Sequence, residues 1–67
     1  MLIEWTEEGA PRSVFVAAPF APSVARVLAD DVGVVRLNGE HVTGPASDGD
    51  RALYLQWEQG PDPGGEG

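Results

Sequence analysis

Cysteine and lysine are both missing from this 67-residue chain, and histidine occurs once, as His41. Without cysteine no disulfide and no thiolate metal site can form. A single imidazole cannot build a histidine-rich zinc site either. So short a chain fits one domain. Below roughly 70–80 residues a single core seldom supplies more than ~3–5 kcal/mol, so small proteins commonly lean on disulfides, a structural metal or association. With the first two removed, association or an unusually well-packed core is left.

Basic charge is equally scarce: four arginines stand against eleven acidic residues, for a net charge of −7. That balance repels phosphate backbones and anionic lipid surfaces. Four scattered arginines also build no basic groove in which bases could stack. The expected partner is therefore a protein, or further copies of the chain in a homo-oligomer or lattice, with no direct nucleic-acid binding and no membrane. No stretch approaches ~20 consecutive apolar residues. The start, Met-Leu-Ile-Glu-Trp, has no basic region leading into an apolar one, which argues against a secretory signal. The expectation is a protein made in the cytoplasm and not secreted, with a virion as one destination.

What is present is a hydrophobic pattern over residues 1–59, followed by a Gly/Pro-rich tail, 60–67, whose composition predicts an extended or flexible segment. Residues 1–6 alternate weakly and predict a first strand. Glu7 to Pro11 reads as a turn, and Ser13–Ala18 as a second strand buried on both faces. Pro19 and Pro22 bracket Phe20 and end that strand. Val24, Val27 and Leu28 then fall on one helical face, predicting a short helix of about two turns entered through Pro22. Asp30 and Asp31 lie at its unfavourable end.

Asn38-Gly39 between two alternating runs is the clearest local signal, because both turn residues need positive φ. A two-residue turn there pairs Arg36 with His41 and Val35 with Val42, with the valines and Leu37 on the core face. Ala52–Glu58 alternates as well: Leu53, Leu55 and Trp57 point one way, Tyr54, Gln56 and Glu58 the other. This predicts a last, half-buried strand. The order β-β-(short α)-β-β-β makes a mainly β domain over 1–59: about five strands in a small antiparallel or mixed sheet or barrel, with one short helix.

The inventory offers little chemistry. His41 is the only imidazole base for Ser13, Ser23, Ser47, Thr6 or Thr43, and it lies on the outward face beside Arg36, as an exposed cross-strand polar pair. No glycine-flanked serine elbow is present. Ser47-Asp48-Gly49-Asp50 matches part of a calcium loop, but Gln59 stands where the bidentate glutamate belongs. No catalytic residue, cofactor site or metal site is assigned. The candidates are partner-binding ones. Phe20 with Pro19 and Pro22 makes a stiff aromatic loop that loses little entropy on docking. Trp5 sits in the strand with the poorer alternation, and Trp is enriched at interface hot spots. Arg36 and His41 form an outward cross-strand pair.

Val35-Arg36-Leu37-Asn38-Gly39-Glu40-His41-Val42, followed by Asp48-Gly49-Asp50-Arg51, resembles the central hairpin and downstream turn of small ubiquitin-like sulfur carriers. These are β-grasp proteins whose Gly-Gly ends are adenylated and thiocarboxylated. Here Gly64-Gly65 is followed by Glu66-Gly67, so the resemblance implies a trimmed C-terminus. Three functional classes follow. The first is a non-enzymatic structural or interaction module docking on a larger assembly, such as a viral capsid decoration protein or a small accessory subunit. The second is a sulfur carrier. The third is an acidic inhibitor that mimics nucleic acid, suggested by the charge.

Overall fold

A computed structural model describes residues 1–59; the tail expected at 60–67 lies outside them. Strands β1 (Leu2–Glu7) and β2 (Ala10–Phe15) form a first hairpin, and β3 (Val34–Leu37) and β4 (Glu40–Thr43) a second. The Asn38-Gly39 turn forms as the sequence predicts, with φ of 51° and 87°. Glu8-Gly9 adopts the same left-handed pair in the first hairpin, at 53° and 82°. Glutamate carries no such preference, so β2 begins earlier than its composition indicates. It also holds Pro11. Met1 and Val16 exchange both of their backbone hydrogen bonds, at 2.6 and 2.8 Å. By alternation the Thr6–Pro11 pair is then a non-bonded one, and a proline on this edge strand forfeits nothing.

Helix α1 (Ala21–Val32) links the hairpins. Pro22 lies in its first turn, and Gly33, at φ 101°, closes it by donating its N–H to the Ala29 carbonyl at 2.7 Å. It runs longer than the two turns expected because two stripes hold it: Ala21, Ala25 and Ala29 on one, Val24, Leu28 and Val32 on the other. The crossover sets β3 beside β1, giving an open sheet of order β2-β1-β3-β4, antiparallel throughout. Ile3, Val16, Val24 and Val35 are its largest fully buried side chains. At about 1.5–3 kcal/mol for each large aliphatic buried, this is a small core.

The predicted last strand is instead helix α2 (Asp48–Glu58). Leu53 and Trp57, four apart, fit either period, so Tyr54 and Leu55 decide. Tyr54 is half-buried against the core, while Leu55 is 54% exposed. The start is fixed by a capping box: Ser47 Oγ accepts from the Asp50 N–H at 3.1 Å, and Asp50 Oδ2 accepts from the Ser47 N–H at 3.0 Å. The Asp48-to-Arg51 stretch of the sulfur-carrier resemblance is thus the first turn of α2, whereas the hairpin part forms as expected. The result is a small α/β protein with a four-stranded antiparallel open sheet and two helices. Among the described residues, no helix is long and apolar enough to cross a membrane.

Candidate interaction surface

α1 lies across β1, β3 and β4, and α2 packs on α1. The layers are therefore sheet, helix, helix, and the opposite side of the sheet carries nothing among the described residues. Strand alternation turns Ile3, Trp5, Val35 and Leu37 toward α1, leaving the intervening residues on the uncovered side. Register then sets Ser13, Glu4, Arg36 and His41 in one row across all four strands. Leu2 and Phe15 flank the row on one side, and Val34 lies beyond it on the other. Phe15 is 76% exposed and Val34 46%.

The charges in this row have no ion-pair partners among the described residues. Glu4 and Arg36 occupy paired positions, yet the ion pairs among the described residues are Arg26–Asp50 at 3.6 Å and Arg51–Asp30 at 2.9 Å. Both of those tie α2 to α1. Glu7 and Glu8 sit at a hairpin tip, and Asp30, Asp31, Asp48 and Glu58 on the helices. The uncovered sheet face thus balances one carboxylate against one guanidinium in a protein that is otherwise strongly acidic.

β1 and β3 pair only through Ile3–Leu37 and Glu4–Arg36. Beyond that point they separate around a groove of about 290 Å³, lined by Trp5, Thr6, Val34, Arg36 and His41 among others. Of the predicted partner-binding residues, the fold gathers Trp5, Arg36 and His41 here. Trp5 is half-buried and donates its Nε1–H to Glu7 Oε1 at 3.3 Å. Pro19, Phe20 and Pro22 sit at the start of α1 instead. Phe20 flanks its first turn and packs, half-buried, on the core; the prolines are exposed. The exposed aromatic of the described residues is Phe15, on the uncovered side of the sheet. Sequence reasoning missed it because the run 13–18 reads as a strand buried on both faces, and nothing local marks β2 as an edge strand.

Within Asp48-Gly49-Asp50, it is Asp50 that is committed to structure. Asp50 Oδ1 accepts from the buried Ser23 hydroxyl at 2.8 Å. The Ser47 backbone N–H, then the Ser23 hydroxyl, hold its carboxyl below the ordinary aspartate value, against the opposing effect of burial. Burial, then the Glu58 carboxylate, push the Tyr54 phenol up. No protein family, curated protein or solved structure matches the chain at a significant level.

Proposed function

We propose that this chain is a non-enzymatic interaction module whose uncovered sheet face is its protein-binding surface, in the role of a small accessory or decorating subunit. The single observation that carries the reading is Phe15, 76% exposed at the edge of a sheet face that no other element of the described residues covers. Covering such a ring contributes about 1.5–3 kcal/mol, a large share of what a small core supplies. The face also has the make-up of a docking patch: apolar residues around charges that have no ion-pair partner among the described residues. The acidic character of the rest of the surface keeps other contacts weak through self-repulsion.

A photoreactive amino acid placed at position 15 tests this in cells making the protein. Position 15 should form a discrete, stoichiometric crosslinked species, while position 55, exposed on α2, should not. Equal crosslinking from both positions, or none from position 15, contradicts the reading.

A further inference from the structure

We infer that the occupant of this face in solution is a second copy of the chain, related by a two-fold axis parallel to the strands and midway between β1 and β3. The inference rests on the docking reading above and adds the partner. Its ground is the order of charges in the central row, Ser13, Glu4, Arg36, His41. Glu4 and Arg36 lie on either side of the line between β1 and β3. Rotation about that line, with the two sheets face to face, sets Glu4 of one copy over Arg36 of the other, and the reverse. The same operation opposes Ser13 and His41, and lays Phe15 against the flat Asn38-Gly39 turn. An axis running across the strands would instead stack Glu4 on Glu4 and Arg36 on Arg36. The row is self-complementary in one orientation only, which is what an isologous interface requires.

Two further features agree. Among the described residues, Glu4 and Arg36, although cross-strand neighbours, form no ion pair with each other or with any other charge, which leaves both to the opposing copy. Two chains of net charge −7 repel overall, and this face, with its charges balanced, is where they can meet without aligning carboxylates. The contact is small. At ~4.8 Å between strands and ~3.3 Å per residue, the face covers roughly 300 Å² in plan, well under the ~800 Å² per partner of a stable interface. Association in the high-micromolar range, on the order of −5 to −6 kcal/mol, is the scale to look for.

The test is sedimentation equilibrium of the full chain from about 10 μM to about 1 mM, with Glu4→Arg and Arg36→Glu variants separately and mixed. Circular dichroism checks that each variant is folded. Either substitution alone opposes like charges across the axis and should weaken self-association at least about tenfold. An equimolar mixture should form heterodimers, and the double variant should recover self-association. A wild-type chain that stays monomeric to about 1 mM overturns the inference. So do single variants that associate like wild type, or a mixture that stays monomeric. The docking reading fails separately, through the crosslinking contrast between positions 15 and 55. A folded Phe15→Asp variant reads the same face without touching the charges, and must also weaken the dimer.

Discussion

Ser47 and Asp50 determine whether residues 48–58 become a helix packed on α1. Each caps the other's backbone N–H, and Asp50 also accepts from Ser23 on α1. Ser47→Ala should therefore cost about 1 kcal/mol, lowering the thermal midpoint by roughly 4–8 °C for a domain of this size. Asp50→Ala should lower the denaturation midpoint further, because it removes both the cap and the tie between helices. The pH dependence has a definite sign. Hydrogen bonds hold the folded-state value of Asp50 below the unfolded 3.8. Its contribution is therefore complete above 3.8 and is lost as the pH falls through the lower folded value. Thermal midpoints of wild type and Asp50→Asn, measured from about pH 7 to about pH 2, should converge only at the acid end. A gap unchanged by acid would mean that the carboxylate charge is not what stabilises this corner.

Elements were legible in the sequence where one residue pair dictates a backbone state, and illegible where two periods fit the same residues. Asn38-Gly39 yielded the second hairpin with its register, because that turn admits few alternatives. The first hairpin turns on Glu8-Gly9, where only the glycine is suited to positive φ, so composition points to a second strand later than the Ala10–Phe15 that forms. Residues 52–58 support either a strand or a helix. The capping box decides between them, yet Ser47-Asp48-Gly49-Asp50 also reads as a polar loop. Of the interface candidates, Arg36 and His41 followed from hairpin alternation and Trp5 from its residue type in a weakly alternating strand, whereas Phe15 depended on strand order, which is tertiary information. A pair of substitutions separates the two forms of α2. Leu55→Glu should leave stability within about 0.5 kcal/mol, as at an ordinary surface position, whereas Tyr54→Ala should cost about 1–3 kcal/mol. The strand form reverses that order, since Leu55 would then share the inward face with Leu53 and Trp57. Chemical denaturation followed by far-ultraviolet circular dichroism gives both numbers.

At the scale of the whole fold, a small core under two helix layers leaves one side of the sheet uncovered among the described residues, and the charge is distributed so that this side is the balanced one. Salt separates association with a second copy from binding to a basic target. Two chains of net −7 repel, so raising ionic strength from about 10 mM to about 150 mM should strengthen self-association by screening that repulsion. An acidic mimic bound to a basic protein would weaken over the same range. Concentration-dependent methyl and amide NMR spectra with a soluble paramagnetic probe test the central claim most directly. As concentration rises, Leu2, Phe15, Val34 and Arg36 should lose probe accessibility together, while Leu55 and the exposed side of α2 stay unchanged. Protection confined to α2, or a sheet face that stays fully accessible at every concentration and in the presence of the crosslinked partner, would contradict the account.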